Sequence, residues 1–284
     1  MCHSSFAASS VISIGSTVGS HNSHHSTDME DSKALILPNV DDIYKYYLHD
    51  ILSSSFQKNA HTLSPGTKCR FLTSKGKNSK KTQLAKDTVV LPQTEADEDS
   101  DRITIQYPKG STYQLRKAFL FPILTGGYHI VVADETDFYR RMCWVHTEDH
   151  DAFIEIGCDM GFTVGEMTNV PCRLGIDKSE VSLEQLRGKY CTCPTLQMDL
   201  LEEDASTIQN VLTQNKMDVK SWERNGGKLV VAIDINGNRE IEGVVECVNR
   251  VLTYWRPTLV IVKSRSLYSY IKSKNEIYEE TPIL

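Results

Sequence analysis

Short apolar runs alternate with helix-length amphipathic segments in the C-terminal half of the chain. The runs are strand-length and occupy residues 130–132, 153–156, 173–176, 196–198, 229–233 and 259–262. The apolar spacing between and after them predicts helices at residues 135–146, 182–188, 238–254 and 266–274. A capping-box pattern, Ser182 followed three positions later by Gln185, marks the start of the second helix. Because alternating strands and helices form parallel sheets with crossover helices, we predict an α/β domain over residues 128–284.

The region before this domain has a different pattern. Residues 40–52 follow Asn39 and place their apolar side chains on one helical stripe, which predicts an amphipathic, N-capped helix. β-type runs come next, at residues 69–73, 88–91, 103–107 and 113–120, and turn residues separate them. We therefore predict a helix and a small antiparallel β module over residues 33–127.

The first 32 residues are rich in Ser, His, Gly and Thr and contain few large apolar side chains. Such a segment cannot bury enough surface to offset the entropy of ordering, so we expect a disordered tail. The tail contains His21, His24 and His25, but a flexible tail gives them no fixed geometry, and we expect no metal site there. Cys191 and Cys193 lack a second closely spaced pair, so no zinc site is expected either.

Composition narrows the class of protein. The chain has 284 residues, of which 24% are charged, and a formal net charge of −6, which excludes a protein that is mainly a nucleic-acid-binding polycation. No apolar run reaches the roughly 18 residues of a membrane-spanning helix. Lys33 is the first basic residue and the eight cysteines are scattered, so we expect a soluble, intracellular protein, cytoplasmic or nuclear, with reduced thiols. The Ser content leaves organellar targeting open.

Two predicted loops of the β module carry opposite charge. One is acidic, between residues 95 and 101; the other contains four lysines, namely Lys75, Lys77, Lys80 and Lys81. Charged loops are usually solvated surface, but lysines can also contact the phosphates of a nucleic acid. RNA is therefore a possible partner through this lysine loop.

The segment 153–166 is the most informative part of the sequence. A predicted strand runs directly into Gly157 and Gly161, which allow a sharp turn and close approach of a ligand to the backbone. We expect a helix to follow, whose N-terminus would favour an anionic group. The spacing Glu155-x-Gly157-x-x-x-Gly161 differs from the G-x-G-x-x-G of dinucleotide sites, so a pyrophosphate is not implied.

This segment resembles the first motif of the class I S-adenosylmethionine-dependent methyltransferases, which have a Rossmann-like fold. Asp177 follows Glu155 by 22 residues and resembles the family carboxylate that binds the ribose hydroxyls. Asp199 follows after the same interval, at the position beside the adenine. The resemblance implies S-adenosylmethionine as cofactor, with Glu155, Gly157 and Gly161 positioning its methionine end. Glu202, Glu203 and Asp204 offer another interpretation of the acidic cluster near Asp199, namely a helix N-terminus.

The resemblance also suggests catalytic residues. Asp234 ends the fourth strand, which faces the sulfonium and the acceptor in the family, and Asn236 and Asn238 follow it. Lys263 ends the fifth strand and, with Asp234, resembles the middle pair of the Lys-Asp-Lys-Glu set of RNA ribose methyltransferases. Arg140 or Arg141 would stand near the first member, and the last has no counterpart. A solvated lysine at a strand end is the alternative for Lys263.

Two features depart from the family pattern. Asp159 stands between the two glycines, where its charge would repel the methionine carboxylate unless the side chain points away. Too few residues follow Lys263 for the antiparallel strand pair that usually completes the sheet, so we expect the β module or a partner chain to complete the substrate wall.

The sequence therefore predicts a methyltransferase of unknown acceptor, with RNA mildly preferred. The alternative is a non-catalytic, methyltransferase-like binding or scaffold protein. Nicotinamide-dependent oxidoreduction is disfavoured by the glycine spacing.

Overall fold

A computed structural model describes residues 63–73, 84–93, 102–116, 120–124, 129–217, 226–235 and 240–279. The predicted tail, the predicted helix at 40–52, both charged loops of the β module and Asn236 and Asn238 lie outside these residues. The proposed domain boundaries stay predictions. No helix within the described residues is long and apolar enough to cross a membrane.

The β module is an antiparallel sheet, as predicted. It has five strands in the order β4-β3-β2-β1-β5. Its strands are β1 (Lys68–Thr73), β2 (Leu84–Val90), β3 (Arg102–Gln106), β4 (Thr112–Arg116) and β5 (Phe121–Pro122). Alternation on β3 sets the inner face, because Ile103 and Ile105 are buried while Arg102 and Gln106 are exposed. These isoleucines form a small core with Cys69, Phe71 and Val90.

The second sheet has six strands, all parallel, in the order β6-β11-β10-β7-β8-β9. The strands are β6 (His129–Ala133), β7 (Ala152–Ile156), β8 (Cys172–Asp177), β9 (Thr195–Gln197), β10 (Leu229–Ile233) and β11 (Leu259–Lys263). Every residue of the central strands β7 and β10 is buried, as expected of strands covered on both faces. This is the Rossmann-like α/β layout that the sequence predicts.

Helices cover both faces of this sheet. They are α1 (Thr136–His146), α2 (Glu180–Lys189), α3 (Ala205–Gln214), α4 (Ile241–Trp255) and α5 (Arg265–Glu279). One face packs against α1 and α2 and the other against α3, α4 and α5, which gives two hydrophobic cores. The domain therefore has three layers, with the sheet in the middle.

Two predictions about these elements need correction. α2 begins at Glu180 and its N-cap is Ser179, whose hydroxyl accepts a hydrogen bond from Ser182 N, so the predicted capping box at Ser182 is wrong. No helix follows β7: residues 157–171 form turns, although a helix was expected after Gly161. The edge beside β11 is occupied by β6, a parallel strand that precedes β7 in the chain.

The β module contacts α1 far from the carboxyl ends of the parallel strands. Arg70 of β1 is 7% exposed and donates to Val145 O, in the last turn of α1, over 3.0 Å. It also pairs with Glu148 at 2.7 Å and with Asp87 of β2 at 2.6 Å. These contacts fix the module against the end of α1 that lies at the amino ends of the strands.

Candidate functional site

The strand order reverses between β7 and β10. The chain leaves β7 towards β8 on one side and leaves β10 towards β11 on the other. In open α/β sheets such a switch point leaves a crevice at the carboxyl ends of the strands, where ligands bind. Here the crevice, which we call the switch-point cleft, has a volume of about 410 Å³.

The switch-point cleft brings together most of the predicted site residues. Its walls contain Gly157, Asp177, Asp199, Asp234 and Lys263. Glu155 and Gly161 do not line it, and neither does any described residue of the β module. The expectation that the β module or a partner chain completes the substrate wall stays a prediction.

Glu155 is a buried carboxylate beneath the turn after β7. It is 3% exposed and accepts hydrogen bonds from Val164 N at 2.8 Å and Tyr139 Oη at 3.0 Å. Burial raises the pKa of Glu155 to about 7, although the hydrogen bonds from Val164, Thr163 and Tyr139 oppose this change. Glu155 therefore ties the turn to α1 and reaches a ligand only through the turn it supports.

The two glycines are required by contacts within the protein. Gly157 has φ +74°, and a Cβ there would lie 2.1 Å from the carbonyl oxygen of Asp234. Gly161 has φ +76°, and a Cβ there would lie 2.5 Å from the Leu186 side chain on α2. Gly157 thus lets the ends of β7 and β10 approach each other at the cleft, whereas Gly161 lets the turn pack against α2.

Asp177 uses both carboxylate oxygens to hold backbone at the tip of β8. Oδ2 accepts from Asp159 N at 2.9 Å and Oδ1 accepts from Ser179 N at 2.8 Å. A carboxylate at this strand end therefore has a structural task that the sequence analysis missed. Each oxygen keeps a further lone pair, so Asp177 can still accept hydrogen bonds from a ligand in the cleft.

Asp159 has an exposed side chain and lines the cleft. Its Oδ1 accepts from Ser182 Oγ at 3.0 Å, and its backbone has φ +46°, unusual for a residue other than glycine. The negative charge at this position therefore faces the cleft and is not turned away from it.

Asp199 organises the turn after β9. Its Oδ1 accepts from Leu201 N at 3.1 Å, and Lys178 Nζ lies 3.8 Å from its Oδ2. Farther along the turn, Asp204 is the N-cap of α3 and accepts from Ser206 N and Thr207 N. The helix-start interpretation of the acidic cluster is thus correct for Asp204, while Asp199 faces the cleft.

Asp234 and Lys263 form an ion pair inside the switch-point cleft. Lys263 Nζ lies 3.0 Å from Asp234 Oδ1 and 3.2 Å from Oδ2, and both side chains are about four-fifths buried. Burial raises the pKa of Asp234, and the nearby charges of Lys263 and Arg140 oppose this rise. Lys263 is therefore a paired residue and not a solvated strand end.

The sequence left the choice between Arg140 and Arg141 open, and Thr136 and the apolar wall of the cleft were not predicted. Thr136 and Arg140, one turn apart on α1, both line the cleft, whereas Arg141 does not. An apolar wall is formed by side chains of four segments, namely Ile156, Met198, Leu200, Leu201, Ile235 and Cys247. The i, i+4 spacing of Thr136 and Arg140 was visible in the sequence, but which face of α1 meets the cleft depends on packing.

Within the described residues, no three His, Cys, Asp or Glu side chains form a group that could hold a metal ion. The chain matches no protein-family model, and no curated protein is detectably similar to it.

Proposed function

We propose that the protein is an S-adenosylmethionine-dependent methyltransferase. The observation that carries this proposal is the row of carboxylates at the ends of β8, β9 and β10, which all face one cleft at the switch point of the sheet. This arrangement agrees with the order of motifs on which the sequence resemblance rests.

The cleft residues fit such a cofactor. A volume of about 410 Å³ lies within the usual range of small-molecule sites. Asp177 retains acceptor capacity for the ribose hydroxyls, and Asp199 lies beside the apolar wall, where an adenine ring would be held. When bound, S-adenosylmethionine supplies an electrophilic methyl group for an in-line displacement.

The task of Asp234 is to orient the acceptor and to take up its proton. Lys263 holds both carboxylate oxygens, which fixes the orientation of Asp234 and favours its charged, basic form. The partly buried site strengthens these electrostatic interactions relative to water. Positioning the nucleophile about 3 to 3.5 Å from the methyl carbon would then provide much of the rate enhancement.

RNA stays the preferred acceptor class, on the basis of the lysine loop, and a partner chain that completes the substrate wall also stays a hypothesis. The lysine loop lies outside the described residues, and no described residue of the β module lines the cleft. The acceptor therefore has to be found by experiment.

The test uses S-adenosylmethionine labelled in its methyl group, incubated with the protein and, in separate reactions, total RNA or a protein extract. We expect label to enter RNA with the wild-type protein and not with Asp234→Asn, which should still bind S-adenosylhomocysteine normally. Glu202→Gln is the matched control, because Glu202 is an exposed carboxylate outside the cleft. Loss of cofactor binding in Asp234→Asn would instead assign Asp234 to the cofactor pocket.

A non-catalytic protein that binds an adenosyl ligand is the second candidate. The negative charge of Asp159 in the glycine turn favours it, because this charge faces the cleft. Binding of S-adenosylhomocysteine without methyl transfer to RNA, protein or small molecules would support this candidate over the enzyme.

A further inference from the structure

The glycine turn lacks the feature that would normally attract an anion. Residues 157–171 form turns, so no helix N-terminus points into the cleft after β7. Asp159 adds a negative charge there, and Asp234 adds another on the far side of Gly157. A carboxylate bound beside Gly157 therefore needs a positively charged side chain from another element.

α1 supplies such a side chain. Thr136 and Arg140 lie one helical turn apart and both line the switch-point cleft. The other cation at this end, Lys263, is already engaged with both oxygens of Asp234. Among the described residues that line this end of the cleft, Arg140 is therefore the cation that no carboxylate engages through a hydrogen bond.

The surroundings of Arg140 hold its position without using its hydrogen-bonding capacity fully. The guanidinium carbon lies 5.3 Å from the centre of the Phe162 ring, and Lys189 Nζ lies 4.1 Å from the same centre. Within the described part of the chain, the buried Nε of Arg140 has no hydrogen-bond partner. A guanidinium presents a planar fork of donors that matches a carboxylate in a bidentate arrangement.

We infer that Arg140, assisted by the hydroxyl group of Thr136, binds the carboxylate of the amino-acid part of S-adenosylmethionine. This inference rests on the proposed function, and it assigns the carboxylate to α1 in place of the glycine turn. It makes Arg140 a specificity-determining residue, because adenosyl ligands without a carboxylate gain nothing from it. It also accounts for Asp159, whose charge near the carboxylate is offset by that of Arg140.

The test compares two ligands by calorimetric titration: S-adenosylhomocysteine and 5′-deoxy-5′-methylthioadenosine, which lacks the amino-acid carboxylate. Arg140→Gln should weaken binding of the first by roughly 10- to 100-fold, the usual effect of losing a hydrogen bond to a charged group. Its affinity for the second should stay within about twofold. Arg141→Gln removes the same charge from the next position on α1, outside the cleft, and should change neither affinity.

An equal loss for both ligands, or no loss for either, in Arg140→Gln would overturn the inference. If that variant fails to fold, Arg140→Lys decides. It keeps the charge but not the planar fork, and selective weakening of S-adenosylhomocysteine is again required. If the wild-type protein binds neither ligand, the proposed function itself fails, which is a different result from a wild-type protein that binds both and a variant that does not discriminate between them.

Discussion

Gly157 controls how closely the two switch-point strands approach each other. A Cβ at this position would overlap the carbonyl oxygen of Asp234, so the end of β10 would have to move away from β7. The position of the catalytic candidate Asp234 thus depends on Gly157, because the carbonyl oxygen of Asp234 occupies the space that a Cβ would need.

We predict that Gly157→Ala destabilises the fold by about 3 kcal/mol or more, because strain at positive φ adds to a backbone clash. Gly110→Ala is the matched control: Gly110 has φ +87° but nothing within 4 Å of the added Cβ, so the change should cost only about 1 to 2 kcal/mol. Urea unfolding of both variants measures the difference. Equal losses would show that the close contact between β7 and β10 is absent.

The Asp234–Lys263 pair should behave as a coupled unit. Lys263→Met leaves a largely buried carboxylate without its partner, so the pKa of Asp234 should rise further and stability should fall by about 1 to 3 kcal/mol at pH 8. The double variant Asp234→Asn with Lys263→Met should recover part of this loss, because no uncompensated charge remains. Additive losses in the double-mutant cycle would contradict the pairing.

Glu155 makes stability depend on pH. Its pKa is raised to about 7 in the folded protein, against an ordinary value of 4.5, so the folded state binds more protons between these values. The contribution of protonated Glu155 to the stability of the folded state is fully present below pH 4.5 and is lost as the pH rises through 7. Glu155→Gln stays neutral, so its free energy of unfolding should rise relative to that of the wild-type protein by up to roughly 3 kcal/mol as the pH increases over this window.

The difference between Glu155→Gln and the wild-type protein is the quantity to measure. His146 acts with the opposite sign. Burial lowers its pKa to about 3, so the folded state is destabilised relative to the unfolded state as the pH falls below 6.5. A wild-type curve alone would mix the two effects. A variant-minus-wild-type difference that stays constant from pH 4.5 to 7 would refute the assignment to Glu155.

At the scale of elements, Arg70 joins β1 to α1 through a hydrogen bond to Val145 O and ion pairs with Asp87 and Glu148. Asp87 and Glu148, its ionic partners, are 57% and 38% exposed, whereas the Arg70 side chain is only 8% exposed. The arginine is thus the buried member of the network, and its loss leaves Val145 O without this donor.

We expect Arg70→Met to destabilise the protein by about 2 to 4 kcal/mol, because a buried donor network is lost. Asp87→Asn should cost less than about 1 kcal/mol, as for an exposed ion pair. Hydrogen exchange in α1 and urea unfolding measure both effects. Finding that the Asp87 variant is as unstable as the Arg70 variant would show that the arginine does not join the elements.

Elements were predicted from sequence where local pattern determines them. The buried runs of β7 and β10, and the helix after Glu135, were found within a residue or two of their observed bounds. The turns after Gly161 were mistaken for a helix because the fold places this segment beneath α2, a tertiary contact that no local spacing reveals. The cap at Ser179 was missed because Ser182 offered an equally good local pattern.

For the whole molecule, the sequence predicted the α/β class and the side of the sheet where polar residues gather, since carboxyl ends of parallel strands meet at one edge. It did not predict that β6 closes the edge beside β11, because strand order is decided by packing between distant segments. The structural tasks of Glu155 and Asp177, which hold turns through backbone amides, were equally hidden. The sequence thus grouped residues that share one cleft, but it did not show which of them hold turns of the protein itself.

In our proposal, the switch-point cleft binds an adenosyl cofactor of methyl transfer. The most direct measurement is calorimetric titration of the purified protein with S-adenosylmethionine and S-adenosylhomocysteine, with NAD as control and with Asp177→Ala as the variant. We predict micromolar binding of the first two ligands, no binding of NAD and loss of affinity in Asp177→Ala. Absence of binding to either adenosyl ligand, or undiminished affinity in Asp177→Ala, would contradict this proposal.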